Sequence, residues 1–321
     1  MQAIRVEEFG GPDALRLMEV DDPEPGDGEV RVRIEAAGVN FIDIYHRTGQ
    51  YRLSLPTGIG QEGAGVVDAV GAGVRDIAVG DLVAWTGRMG SYAQSISIPA
   101  DRVVQVPDGV DVRIAAGVML QGMTAHYLVT STYPLSDAHS TLVHAGAGGV
   151  GLLLIQVAKR AGARVIATVS TPEKAEFARN AGADDVIIYT EVDFLDEVRR
   201  LVPDGLDVVY ESVGRDTFDR SMQCLRPRGY LVLYGQSSGA VDPVDPRRLQ
   251  EGGGLFLTRP TLRDYIATRD ELRWRAGELF DLIKQGQLNV RIDRTFPLAE
   301  AADAHRYMEQ RRTRGKLLLL P

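Results

Sequence analysis

The sequence predicts an α/β fold in which a doubly wound parallel-sheet domain is inserted into a mostly β, barrel-type domain. Three observations predict it. A short apolar run breaks at the glycines of Thr141-Leu-Val-His-Ala-Gly146-Ala-Gly148-Gly149-Val-Gly151 and passes straight into a helical pattern. Beyond it, strands alternate with helices, the pattern of a parallel sheet covered on both faces. Before it lie many short strands separated by turn formers. The 321 residues exceed a typical single domain. The expected division gives 1–120 and 258–321 to the β-rich domain and 121–257 to the inserted one.

Taken in order, Met1-Gln-Ala-Ile-Arg-Val6 already reads as a strand, and Val30-Arg-Val-Arg-Ile34 alternates apolar with polar as a half-buried strand does. Further short strands are expected at 65–70, 82–85, 92–96 and 103–106, with turns at Pro23, Pro25, Gly71, Gly73, Gly80, Pro99 and Pro107. From about Val112 the periodicity is helical. Strands are then expected at 142–145, 165–169, 185–189, 208–210 and 231–234, with helices in the gaps, as at 172–181 and 194–201. After Phe256 the alternation stops. Residues 269–286 form an amphipathic helix with Leu272, Ala276, Leu279, Phe280 and Ile283 on one face, 298–312 form another, and 316–320 a terminal apolar strand.

Composition narrows the function classes. A net charge of −8 argues against a general nucleic-acid or anionic-membrane binder. No apolar run reaches the length of a membrane span and no charged-then-apolar leader opens the chain, so a cytoplasmic protein is expected. The single cysteine, Cys224, excludes an internal disulfide framework and a cysteine-built metal cluster. Five scattered histidines contain no His-Glu-x-x-His pattern, so no metal ligand is expected, and no Gly-x-Ser-x-Gly elbow supports acyl transfer.

Gly146, Gly148 and Gly151 stand at the G-x-G-x-x-G spacing of a dinucleotide-binding turn. The first allows a tight turn, the second a close approach to pyrophosphate, the third close packing of helix on strand. Alone the spacing also fits an ordinary glycine turn; the strand before and the helix and strand after favour the Rossmann reading. About 20 residues on, where an NAD site places a carboxylate, the chain has Ser170-Thr-Pro-Glu-Lys174. Two hydroxyls and a cation suit a 2′-phosphate, hence NADPH. The same residues also read as a capped helix start with Pro172 in its first turn, and both readings hold together. Lys174 is one of only four lysines. Ligands of an open α/β sheet bind beyond the strands' carboxyl ends, which points to the glycine loop, Ser170–Lys174, Tyr189, Ser212–Gly214 and the small-residue loop with Gly235 and Ser237. That last loop reads equally as a flexible connection. Hydride transfer, with the cofactor carrying the reactivity, is the chemistry these features leave.

The chain resembles the zinc-independent medium-chain dehydrogenases/reductases, in the NADPH:quinone oxidoreductase branch that includes zeta-crystallin. The resemblance rests on Ala36–Tyr45, Gly60–Val67, Gln121–Tyr127, His144–Gly151, Ser170–Lys174, Ser237–Ala240 and Phe256–Pro260. It implies a GroES-like first domain and a homodimer. Zinc-dependent relatives carry a cysteine ligand in the stretch matching Gly38–Asn40 and a Gly-His-Glu motif where this chain has Gly60-Gln61-Glu62. The loss of both implies an electron-poor acceptor, a quinone or an activated enone. By position, the resemblance assigns Asn40 and Tyr45 to the nicotinamide end and acceptor cleft, and Thr124 to the nicotinamide ribose. Gly148, Gly149 and Val150 fall to the pyrophosphate turn, and Ser170, Lys174, Tyr189 and Arg311 to the 2′-phosphate. Phe256 and Thr258 fall to the segment passing the carboxamide. Tyr45 reads either as a donor to the acceptor oxygen or as an aromatic wall, and Asn40 either as a site residue or as a loop anchor. Gly146-Ala147 departs from the two alanines commoner in the branch. The implied activity is quinone reduction. The alternatives are enone or enal reduction, with Tyr45 as proton donor, and an NADPH-binding structural or RNA-binding protein.

Overall fold

A computed structural model describes residues 1–321, which form two compact units, Met1–Met123 with Ile266–Pro321, and Thr124–Tyr265. No helix is long and apolar enough to cross a membrane.

The first unit is β-rich. Its larger sheet runs in the order Ile292–Pro297, Lys316–Leu320, Glu29–Val39, Glu62–Val70, Leu82–Thr86, Val103–Gln105, with Ser95–Pro99 also paired to Glu29–Val39. A smaller sheet orders Arg16–Glu19, Gln2–Val6 and Thr57–Gly58. In the long strand Glu29–Val39 the alternation read from the sequence is real: Val30, Val32 and Ala36 are fully buried, with Ile34 beside them. The terminal strand lies antiparallel to it, with Leu317, Leu318 and Leu319 opposite Val39, Gly38 and Ala37. All three leucines are buried, so this strand is a continuous apolar run rather than an alternating one. The strand expected at 92–96 starts three residues later, at Ser95. Tyr92 instead turns its side chain into the buried polar cluster described below.

The second unit has a six-stranded parallel sheet in the order Asp185–Ile188, Arg164–Val169, Ser140–Val143, Leu206–Glu211, Leu225–Leu233, Phe256–Thr258. The order reverses at Ser140–Val143, which is the topological switch point of a doubly wound fold. Val143, Val165, Ile166, Val209 and Leu231 are completely buried, as strands covered on both faces require. Helices Gly149–Arg160, Pro172–Asn180, Phe194–Leu201 and Phe218–Gln223 connect the first five strands. The sixth strand, Phe256–Thr258, adds to the sheet edge beside Leu225–Leu233, past the point where the sequence alternation stops.

Candidate active site

In the second unit the glycine turn follows Ser140–Val143. The N–H of Gly146 donates to Thr168 O at 2.9 Å and that of Gly148 to Ala145 O at 2.8 Å. A Cβ on Gly146 would stand 2.8 Å from Ala167 Cβ, and one on Gly151 would collide with Ala145 O and lie 2.9 Å from Gly146 Cα. These two glycines are packing requirements. Gly148 is different: its Cβ would meet only Ala145 O, at 3.2 Å. It precedes helix Gly149–Arg160, whose N-terminus receives no side-chain cap and has no acidic residue in its first turn. The first-turn N–H groups, those of Gly149, Val150 and Gly151, therefore need an acceptor from outside the helix. An open glycine beside an uncapped helix start fits a pyrophosphate.

Parallel pairing sets Val169 opposite Ile188, which brings Ser170 and Tyr189 to adjacent places at the carboxyl edge of the sheet. The Thr190 hydroxyl donates to Ser170 O at 2.9 Å, and Tyr189 is 42% exposed. The cap of helix Pro172–Asn180 is Thr171, whose hydroxyl accepts the Lys174 N–H at 3.2 Å, with Pro172 in the first turn. The capping role therefore falls on Thr171, and Ser170 stays at the strand end. On the other side of the switch point, the Ser237 N–H reaches Ser212 O at 3.1 Å. A Cβ on Gly235 would stand 2.8 Å from that same oxygen. Thr258 ends its strand level with Val232. Phe256, two residues earlier, stacks on Tyr230 with ring centroids 4.4 Å apart. Thr124 is buried within helix Val112–Tyr127.

In the first unit, Asn40 follows strand Glu29–Val39 and precedes helix Phe41–Arg47. Its Nδ2 donates to Glu62 Oε2 at 2.8 Å and Gly38 O at 3.3 Å. Its Oδ1 accepts from Lys316 Nζ at 2.8 Å and Gln121 Nε2 at 3.2 Å. Four bonds exhaust a carboxamide, so Asn40 is a buried junction. Glu62 is ion-paired with Lys316 and its Oε1 accepts the Leu120 N–H at 2.7 Å. Both members of that pair are at most 1% exposed. Desolvation lowers the Lys316 pKa, and the facing Glu62 pushes it back up. Tyr45 is buried between the rings of Phe41 and Tyr51, edge to face at 5.4 and 5.2 Å. Arg311 sits at φ 58° in the turn before the terminal strand.

A second buried cluster begins one helical turn from Asn40. The Asn40 N–H donates to Asp43 Oδ2 at 2.9 Å, which also accepts the Tyr92 hydroxyl at 2.8 Å. Tyr92 Oη lies 3.2 Å from His305 Nε2, whose Nδ1 faces Arg47 Nη1 at 3.1 Å, and Arg47 pairs with Glu309. Arginine only donates, so Nδ1 accepts and the neutral ring carries its proton on Nε2. Burial pushes His305 down to about 3 and raises Asp43 to about 7, and Asp43 Oδ1 has no partner. Sequence reasoning assigned no role to Asp43, Tyr92, His305, Glu62 or Lys316. Two signals were present: the Asn40–Asp43 spacing of a helix cap, and a lysine opening an otherwise apolar strand. No three His, Cys, Asp or Glu side chains converge as a metal site.

Residues 26–108 match the alcohol dehydrogenase GroES-like domain and 181–319 the zinc-binding dehydrogenase family. A quinone oxidoreductase of Pseudomonas aeruginosa is 46% identical over 317 residues, covering 98% of this chain and 97% of that protein. The chain belongs to the NADPH:quinone oxidoreductase branch of the medium-chain dehydrogenases/reductases. Within this family the crystal structure of Escherichia coli quinone oxidoreductase complexed with NADPH superposes with a TM-score of 0.98 at 41% identity, covering all of both chains. A 2-haloacrylate reductase of a Burkholderia species is 43% identical, over 100% of this chain and 99% of that protein.

Proposed function

We propose that the protein is an NADPH-dependent quinone reductase that works without metal or flavin. The observation that carries this reading is the open Gly148 beside an uncapped helix N-terminus at the sheet's switch point, in a chain of this family. Bound NADPH supplies a hydride; holding and orienting the reactants is the work of the chain's residues. The N–H groups of Gly149, Val150 and Gly151 hold the pyrophosphate, and Gly148 lets it approach. Ser170, Lys174, Tyr189 and Arg311 hold the 2′-phosphate. Thr124, Ser212, Gly235, Ser237 and Thr258 line the nicotinamide side, and Phe256 supports its strand through the Tyr230 stack. Tyr45 closes an aromatic wall and presents its hydroxyl to the acceptor oxygen, while Asn40 positions the turn that carries it. Hydride to the quinone and one proton from solvent give the hydroquinone.

The donor set argues against a zinc-activated alcohol. Gln61 lies 3.3 Å from His46, Glu62 is committed to Lys316 and Asn40, and Cys224 is buried in the other unit. A two-fold homodimer in the cytoplasm completes the proposal.

A second reading, reduction of an activated C=C bond, is favoured by the likeness to 2-haloacrylate reductase. The test is NADPH oxidation against 1,4-benzoquinone, 9,10-phenanthrenequinone and an α,β-unsaturated ketone, repeated with NADH and with a chelator. Chelator-resistant quinone turnover preferring NADPH is expected. Turnover of the enone alone, abolished in Tyr45→Phe, replaces the first reading with the second. NADPH binding without turnover, with an RNA gel shift at low salt, replaces both.

A further inference from the structure

Directly beneath the nicotinamide-side loops lies a polar cluster that the assignments above leave without a role. Glu211, the last residue of the fourth strand, is fully buried. Its Oε1 accepts the N–H groups of Val213 at 2.7 Å and Gly214 at 3.0 Å, and the Thr217 hydroxyl reaches both carboxylate oxygens at 2.9 Å. The Ser221 hydroxyl donates to Oε2 at 2.6 Å. Because Ser221 spends its proton there, its oxygen accepts from His144 Nε2 at 2.9 Å, and His144 Nδ1 accepts the Thr168 hydroxyl at 2.8 Å. Burial lowers the His144 pKa, against the pull of Glu211, which agrees with a neutral ring.

The consequence is geometric. Residues 212–215 are bent by the carboxylate, and residues 235–239 are built on them. Ser237 N–H donates to Ser212 O, Ser238 N–H and hydroxyl both reach Val213 O at 2.8 Å, and Gly214 bridges Gly239. Tyr234 and Gly235 N–H groups donate to Glu211 O at 2.9 and 3.3 Å. One residue therefore sets the backbone of both loops on this side of the switch point.

We propose that Glu211 is a positioning residue for the nicotinamide half of the cofactor site, with Thr217, Ser221 and His144 fixing its carboxylate. The inference rests on the cofactor assignment above. It separates the two halves of the ligand, because the adenosine side is built on Ser170–Lys174 and Tyr189, which Glu211 does not touch through any of these bonds.

The experiment measures dissociation constants of NADPH, reduced nicotinamide mononucleotide and 2′,5′-ADP for the parent, Glu211→Gln and Thr217→Val. In Glu211→Gln an amide donor faces donors, so binding of NADPH and the mononucleotide weakens about ten-fold or more. Binding of 2′,5′-ADP stays within about two-fold of the parent, a change worth well under one hydrogen bond. Thr217→Val moves the same two ligands in the same direction by a smaller factor, and it decides the matter if Glu211→Gln does not fold. Equal weakening of all three ligands, or no change in any, overturns the proposal. A parent that binds neither NADPH nor 2′,5′-ADP instead overturns the cofactor assignment itself.

Discussion

At the scale of single residues, the buried chain from Arg47 through His305 and Tyr92 to Asp43 holds two groups whose titrations oppose each other. Asp43 has its pKa raised to about 7, chiefly by burial; Glu62 adds to the shift, and the Asn40 N–H, Tyr92 and Lys316 resist it. The folded chain therefore holds a proton that the unfolded chain has released between about pH 4 and 7. The stability Asp43 contributes is fully present below that window and is lost as pH rises through 7. His305, pushed down to about 3, has the reverse effect: the unfolded chain binds the extra proton, and stability grows as pH rises toward 6.5. Together they flatten the parent's profile. Asp43→Asn removes one side only. Measured by urea unfolding at each pH, the variant gains on the parent from pH 4 to 7, by on the order of 4 kcal/mol at full shift. A constant difference across that range means that Asp43 titrates as an ordinary aspartate.

At the scale of elements, the glycine loop shows what a sequence pattern reveals and what it hides. Of the three glycines at the fingerprint spacing, Gly146 and Gly151 are closed in by packing, whereas a Cβ on Gly148 would meet only Ala145 O. Gly151→Ala drives a methyl into Ala145 O and the Gly146 backbone, so its Tm falls by several degrees, the effect of overpacking by about 1–3 kcal/mol. Gly148→Ala keeps an allowed backbone, φ −75°, and needs only a few tenths of an ångström from its neighbour. Its Tm without ligand stays near the parent's, while NADPH affinity drops at least about ten-fold because the methyl occupies ligand space. Thermal unfolding with and without NADPH separates the two; equal loss of affinity with no loss of Tm in both contradicts the packing account. The same scale explains which elements were legible. Helix Phe194–Leu201 falls at the expected residues because its buried Phe194, Leu195 and Val198 recur at helical spacing behind the Asp193 cap, and strand Lys316–Leu320 because four leucines run on without a break. Strand Arg16–Glu19 is exposed at every position, and Ile292–Pro297 carries two charges in six residues, so neither shows an alternation to read.

At the scale of the whole molecule, strand count follows from the pattern but strand order does not. Nothing local in Phe256–Thr258 says that it pairs with Leu225–Leu233, and nothing in Lys316–Leu320 says that it returns to Gly38 and Val39. Those pairings, and the ion pair of Lys316 with Glu62 that the second one creates, are long-range facts. Charge is also a property of the whole, and it sharpens the reading of Lys174. A chain of net charge −8 repels a polyanionic dinucleotide, so the preference for a 2′-phosphate must come from local cations. Lys174 is such a cation by position, in the first turn of the helix Pro172–Asn180 that starts just past Ser170 at the strand end. Lys174→Ala should therefore weaken NADPH about ten-fold and leave NADH nearly unchanged, since loss of one charge-assisted contact costs about 1.5 kcal/mol. The readout is the shift in Tm at fixed cofactor concentration, where a ten-fold weaker Kd removes about 1.4 kcal/mol of ligand stabilisation. The gap between NADPH and NADH shrinks in the variant, and shrinks likewise in the parent as salt is raised. A gap that survives Lys174→Ala moves the 2′-phosphate away from this strand end and leaves Arg311 as its cationic partner.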